Sequence, residues 1–170
     1  NNPISINNKE DVEKILQDIK NAKFKVLEVK KAIKHEAPPL LYDLTSLQQD
    51  ANKLFGYSAK QTLNIVQQLY EQHKYLTYPR TDSKYLSKDM YNTIKERLIN
   101  ASYGEYVKYA NEIIKNGIPN NKRIFDDSKV SDHHAIIPTE LKCIVNSLET
   151  EEINIFNLVL KRFLAAFMRD

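Results

Sequence analysis

The last twenty residues hold the pattern that most constrains the fold. Ile153, Phe156, Val159, Leu160, Phe163, Leu164 and Phe167 recur every three or four positions, the period of an amphipathic helix. A stripe this apolar needs a partner surface, and the preceding chain supplies candidates. Asn8 caps a helix with Val12, Ile15, Leu16 and Ile19 on one side. Thr45 or Ser46 starts another, with Leu47, Ala51, Leu54 and Phe55, closed by Gly56. Ser58-Ala59-Lys60-Gln61 reads as a capping box for a third, carrying Leu63, Val66, Leu69 and Tyr70. Ser87 caps a fourth with Met90, Ile94 and Leu98, and Glu105 to Asn116 forms a fifth, ended by Gly117.

Between the first two helices, Phe24-Lys25-Val26-Leu27-Glu28-Val29-Lys30 is rich in β-branched residues and reads as a strand. Lys30, Lys31, Lys34 and His35 form a basic tract, as consistent with a solvated edge as with phosphate contacts. Pro38-Pro39 stops what precedes it and marks a domain boundary. Residues 118–130 are polar and read as a loop, and no internal repeat is visible. The expected class is α+β, mainly helical. Helix, short turn, helix and then the segment around Tyr78 resembles the winged-helix (CAP-like) plan of DNA-binding domains.

A chain of 170 residues can bury a core, and 42% hydrophobic with 28% charged residues excludes a disordered polymer. The net charge of +3 is compatible with nucleic acid without requiring it. A single cysteine, Cys143, excludes an intrachain disulfide and a Cys-based zinc site, and fits a reducing cytoplasm. No apolar run is long enough to span a membrane, so no membrane partner is expected. The chain opens Asn1-Asn2-Pro3 without a methionine, as an excised piece of something longer would.

Two stretches carry candidate chemistry. The first is Tyr78-Pro79-Arg80-Thr81-Asp82-Ser83. A phenol titrates near 10, so it needs help to act as a nucleophile. Pro79 biases Tyr78 towards extended backbone. If that continues, alternation puts the side chains of Tyr78, Arg80 and Asp82 in one row. A guanidinium beside a phenol can hold phosphate oxygens and offset charge on a pentacoordinate phosphorus. The same residues also suit a loop that ends in a helix cap, and most of the ten tyrosines must be packing residues.

The second stretch is Ser131-Asp132-His133-His134-Ala135-Ile136-Ile137-Pro138-Thr139. Adjacent histidines could bind metal, donate to phosphate or sit exposed. Metal is the weakest option, because neighbouring side chains diverge and no other His or Cys cluster completes a ligand set. One histidine suffices for phosphate chemistry, as a donor or a proton shuttle.

Together these stretches resemble the active-site tyrosine and downstream histidine motifs of type IA DNA topoisomerases, in a form nearest topoisomerase III. Pro38-Pro39-Leu40-Leu41-Tyr42-Asp43-Leu44-Thr45-Ser46-Leu47-Gln48-Gln49-Asp50-Ala51-Asn52, Phe55-Gly56-Tyr57-Ser58-Ala59 and Lys161-Arg162-Phe163-Leu164-Ala165-Ala166-Phe167 are similar to that family too, in the same order from about residue 24 onward. The resemblance implies that Tyr78 attacks a phosphodiester of single-stranded DNA and remains on the 5′ phosphate. Arg80 then holds the scissile phosphate, and His133 is the phosphate-side histidine. Gln49, Thr81, Asp82, Ser83 and His134 are implied supporting DNA contacts. A strand passes through the gap, and the 3′ hydroxyl attacks the phosphotyrosine to reseal it, without ATP.

The resemblance further implies residues 1–39 as part of an arch domain containing the short strand. Residues 40–140 become the tyrosine domain, and 141–170 a helix returning to the arch or a neighbouring domain. The family also needs an N-terminal domain with an acidic Asp-x-Asp cluster that binds Mg2+. This chain has none, since Asp126-Asp127 is adjacent and in a loop. The metal ligands are therefore expected outside it, the remaining domains of the same polypeptide are expected partners, and the isolated chain is expected to be inactive.

Tyrosine recombinases and type IB topoisomerases require a His-x-x-Arg stretch upstream of a late tyrosine, whereas here the histidines follow it. Rolling-circle nucleases separate two metal-binding histidines by one apolar residue, whereas these two are adjacent. A non-catalytic winged-helix module that binds single-stranded DNA is the remaining alternative.

Overall fold

The computed structural model describes residues 6–34 and 36–168. His35 of the basic tract and the opening Asn1-Asn2-Pro3 lie outside the described residues. The chain forms two compact units, Asn1–His35 and Glu36–Asp170.

In the first unit, helix α1 (Lys9–Asn21) starts where expected, with the Asn8 side chain accepting from the Glu10 amide at 3.0 Å. Its apolar stripe is solvent-facing, with Val12, Ile15, Leu16 and Ile19 all exposed. The strand expected over residues 24–30 is not formed. Leu27 is 90% and Phe24 81% exposed, and among the described residues no segment pairs with their backbone. β-propensity is realised only against a partner strand, which this unit does not provide.

The second unit is built from five α-helices among the described residues. They are α2 (Leu44–Phe55), α3 (Ala59–Glu71), α4 (Ile94–Ala101), α5 (Tyr106–Asn116) and α6 (Thr150–Phe167). The mainly helical character expected from the sequence holds. Helix α2 begins one turn-position earlier than expected. Asp43 is the cap, and its carboxylate accepts from the Ser46 amide at 2.7 Å. Gly56 closes α2 in the left-handed conformation (φ 73°), which costs a residue without Cβ least. Ser58 caps α3 through the Gln61 amide, but the Gln61 side chain reaches across to Glu151 instead of back to the cap. Only half of the expected capping box is therefore present. Ser87 makes no side-chain cap; residues Lys88–Thr93 form a 3-10 turn before α4, and Asp127 accepts from the Lys88 amide.

Helix α6 finds its partner surface on α2, α3 and α5. Phe156, Phe163 and Phe167 are fully buried, Phe163 meets Phe167 edge-on at 5.1 Å between centroids, and Phe167 reaches Phe125 at 6.1 Å. Full burial of such side chains contributes roughly 1.5–3 kcal/mol each. Within α3, Ile65 is buried while Leu63 is only half-buried, so the inward face is turned slightly from the expected one. The N-terminus of α6 is fixed by a reciprocal capping box, in which Glu152 accepts from the Glu149 amide at 2.9 Å. Glu152 also meets His73 Nε2 at 3.1 Å, tying α6 to the turn that follows α3.

Extended pairing among the described residues is limited to three isolated bridges. Tyr42 pairs with Ile136, Leu76 with Pro138, and Leu86 with Phe125. No helix among the described residues is long and apolar enough to cross a membrane.

Candidate active site

The segment Ala135-Ile136-Ile137-Pro138 is buried throughout and acts as a central strap. The Ile136 amide donates to the Tyr42 carbonyl at 2.8 Å, and the Ala135 amide to the Tyr85 carbonyl at 3.0 Å. The Thr77 amide donates to Ile137 O at 3.0 Å, while the Thr77 hydroxyl donates to Ala135 O and accepts from the Ile137 amide. The apolar half of the histidine stretch thus fixes the residue directly before Tyr78. Distant parts of the sequence meet here because buried backbone groups must find partners.

On the other side of Tyr78 the chain turns sharply. The Thr81 amide donates to Pro79 O at 3.1 Å, a three-residue turn centred on Arg80. The expected straight row of Tyr78, Arg80 and Asp82 is therefore bent. Arg80 and Asp82 remain exposed on one side, while Thr81 and Ser83 point inward and are buried. The Thr81 hydroxyl donates to the His133 carbonyl at 2.9 Å and accepts from the Ser83 amide at 3.1 Å. The Ser83 hydroxyl donates to Lys129 O at 2.8 Å. These two hydroxyls, read from the sequence as DNA contacts, are spent on binding the tyrosine segment to the histidine loop.

The half-buried Tyr78 ring lies against the His133 ring, 4.1 Å between centroids and tilted by 40°. On another side the Tyr70 ring meets it edge-on at 5.5 Å. The phenol is held by two aromatic neighbours from different parts of the chain, one on α3 and one on the loop after Val130. His133 also borders a cavity of about 430 Å3, together with Arg80, Asp82, Asp132 and the first residues of α2, and Tyr78 reaches this cavity only through its packing on His133. Among the described residues no hydrogen bond or ion pair occupies the Arg80 guanidinium, which leaves its donor fork free for an incoming anion. Asp82 accepts from Ser131 at 3.3 Å.

His134 does not share this position. It is half-buried, its Nδ1 lies 2.8 Å from the Ala135 carbonyl, and burial pushes its pKa below the ordinary histidine value. Gln49 stands exposed on α2 and is not among the residues bordering the cavity.

Three contributors were missed in the sequence. Asp43 borders the cavity while capping α2, and Lys84 Nζ approaches its carboxylate at 3.7 Å. Tyr70 was assigned only to a helix stripe. Asp43 was legible, because an Asp three residues before Ser46 at the start of an apolar period is a cap signature. Tyr70 was not, since its contact with Tyr78 depends on how the chain reverses after α3.

Among the described residues, no three His, Cys, Asp or Glu side chains come together as a metal-holding group.

Comparisons with known proteins give the family of the chain. A family profile described as DNA topoisomerase matches residues 1–170. DNA topoisomerase 3 of Bacillus cereus is 52% identical over 158 residues, covering 93% of this chain and 22% of that protein. The Bacillus subtilis protein of the same name is 47% identical over 161 residues, covering 95% and 22%. The solved structure of full-length topoisomerase I from Thermotoga maritima matches with a TM-score of 0.60 at 29% identity, over 92% of this chain and 25% of that one. The chain thus spans about a fifth of the length of the curated relatives it matches. The tyrosine, arginine and histidine brought together by the buried strap are those of the motif order read from the sequence, and the chain belongs to the type IA DNA topoisomerases, as a fragment of the topoisomerase III kind.

Proposed function

We propose that this chain carries the nucleophile with which such an enzyme cuts and rejoins single-stranded DNA. The Tyr78 oxygen attacks a backbone phosphorus, the bond from phosphorus to the 3′ oxygen breaks, and the 5′ phosphate stays on the tyrosine. One proton leaves the phenol and one reaches the departing 3′ oxygen. Rejoining is the reverse attack by the 3′ hydroxyl, so the phosphoester energy is kept and ATP is not consumed. Arg80 binds the scissile phosphate and offsets the charge that builds on it. His133, packed on the phenol ring, acts on the phosphate side. Asp82 and Gln49 contact the strand from exposed positions, whereas Thr81, Ser83 and His134 support it by fixing the loop and the tyrosine segment.

The observation that carries this reading is the 4.1 Å packing of Tyr78 on His133 beside a cavity into which Arg80 brings an unoccupied guanidinium. Domain limits of 1–39 for an arch segment and 40–140 for the tyrosine domain are part of the proposal. Residues 141–170 close over the tyrosine domain and lead the chain on towards the arch or a neighbouring domain. A winged-helix plan is supported by the order of α2, α3 and the extended segment after them. Mg2+ ligands lie in the remaining domains, which are this chain's partners, and the setting is the cytoplasm.

The test uses the chain joined to the rest of its polypeptide, with a 5′- or 3′-end-labelled single-stranded oligonucleotide. A protein–DNA adduct that keeps the label downstream of the cut, and that vanishes in Tyr78→Phe, is expected. An adduct that persists in Tyr78→Phe contradicts the assignment.

A further inference from the structure

Away from Tyr78, a cavity of about 330 Å3 opens beside the end of α6. Its walls are apolar where Pro38, Pro119 and Met168 border it, and its polar groups come from Asn121 and Arg123. Arg123 is half-buried, and among the described residues no hydrogen bond or ion pair engages its guanidinium. A guanidinium stays charged at any physiological pH, and a charge partly removed from water without a counter-ion is costly. Asn121 spends its side-chain oxygen on the Arg123 amide at 3.0 Å, which leaves its NH2 group as a second donor. A fork and an amide against apolar walls are the groups that bind an oxyanion.

Met168 also borders a neighbouring cavity of about 260 Å3, formed by Tyr106, Tyr109 and Lys161 between α5 and α6. Lys108 Nζ lies over the Tyr109 ring at 4.6 Å, and Lys161 Nζ over Tyr106 at 6.0 Å. Both tyrosines are half-buried, and aromatic rings that keep part of a face open next to cations suit stacked bases; Met168, shared by the two cavities, puts them beside the oxyanion position.

We propose that these adjoining cavities form an accessory contact for single-stranded nucleic acid, with one phosphodiester on Arg123 and Asn121 and the next base on Tyr109. The contact rests on the reading that this chain works on single strands, and it extends the strand-binding surface beyond the cavity bordered by Arg80 and His133.

The experiment measures binding of a fluorescein-labelled oligothymidylate of about twelve nucleotides to the chain in a Tyr78→Phe background, across a salt series. Arg123→Ala should weaken binding roughly tenfold and reduce the salt slope by about 0.7, the contribution of one phosphate on a single strand. Tyr109→Leu should weaken it about fivefold with the slope unchanged. Both positions are partly exposed, so thermal melting of the two variants should match the parent. Unchanged affinity and slope in Arg123→Ala would overturn the proposal. So would an Arg123→Ala variant that binds the oligonucleotide normally but loses a labelled hexaglutamate peptide, because the occupant would then be a carboxylate. Arg80→Ala runs in parallel. Loss of binding there, with none at Arg123, removes the accessory contact and leaves the Tyr78 reading standing.

Discussion

Helices α1 and α6 are both amphipathic, yet they end in opposite situations. The stripe of α6 meets α2, α3 and α5 and becomes the core of its unit, with Phe156, Phe163 and Phe167 removed from water. The stripe of α1 stays exposed, and so do the apolar residues of 24–33 after it. Apolar periodicity states what a segment needs and does not say whether the partner is present. The unit that carries Tyr78 contains its own partners, and among the described residues the other does not.

The strongest way to break that contrast is a matched pair of truncations. Phe163→Ala should cost about 3–5 kcal/mol, because it empties a fully buried ring position. Leu16→Ala, 52% exposed on α1, should change stability by less than about 0.5 kcal/mol. Chemical denaturation of both variants reads the difference, and equal losses would erase the distinction between the two helices.

A smaller effect sharpens the link between fold and site. Thr81→Val keeps the shape but deletes the hydroxyl that joins the part-buried His133 carbonyl to the buried Ser83 amide, leaving both short of a partner. A loss of about 1–3 kcal/mol is expected, together with slower adduct formation in the complete enzyme. Thr81→Ser should recover most of both. Full activity in the valine variant would show that the loop does not depend on this bond.

The pH response of the second unit follows from His134. Burial holds its pKa below the ordinary 6.5, so the folded state binds its proton less readily than the unfolded chain does. Stability should therefore fall as pH drops below about 6.5, until the depressed folded value is passed. His134→Gln should flatten that decline in a melting series, and an identical slope would assign it to other groups.

A small change is also expected at Lys74, which among the described residues is the non-glycine position with a left-handed backbone (φ 58°), where the chain leaves α3 for the tyrosine segment. Lys74→Asn should raise stability by up to about 1 kcal/mol, since asparagine tolerates that conformation better. A lower melting temperature would mean that the lysine side chain over Tyr70, at 5.5 Å, contributes more than the backbone costs.

Much of the helical frame was legible because its signals are local. Asn8, Ser58, Gly56 and the α6 stripe each act within one or two turns. Local signals also mislead where two candidates compete: Thr45 and Ser46 are good caps, but Asp43 takes the position by reaching the Ser46 amide. The strand over 24–30 failed because strand pairing is non-local. For the site, the sequence offers residue types and their order in Tyr78, Arg80 and His133, whose roles are proposals. The site's geometry is not legible there, because the strap at 135–138 is set by hydrogen bonds across some sixty residues, as between Thr77 and Ile137, and the local turn at Arg80 is tied to the His133 carbonyl by the Thr81 hydroxyl. Alternation does place the Thr81 and Ser83 side chains opposite Arg80 and Asp82, but that theirs is the inward face depends on the histidine loop packed against it.

The central claim is that one phenol among ten tyrosines forms the covalent link. Peptide mapping by mass spectrometry of the protein–DNA adduct, trapped in the complete enzyme and digested to a residual nucleotide, tests it most directly. The nucleotide phosphate should be found on the peptide containing Tyr78 and at that residue. Its recovery on Tyr70, Tyr85 or any other side chain would contradict the role assigned to Tyr78.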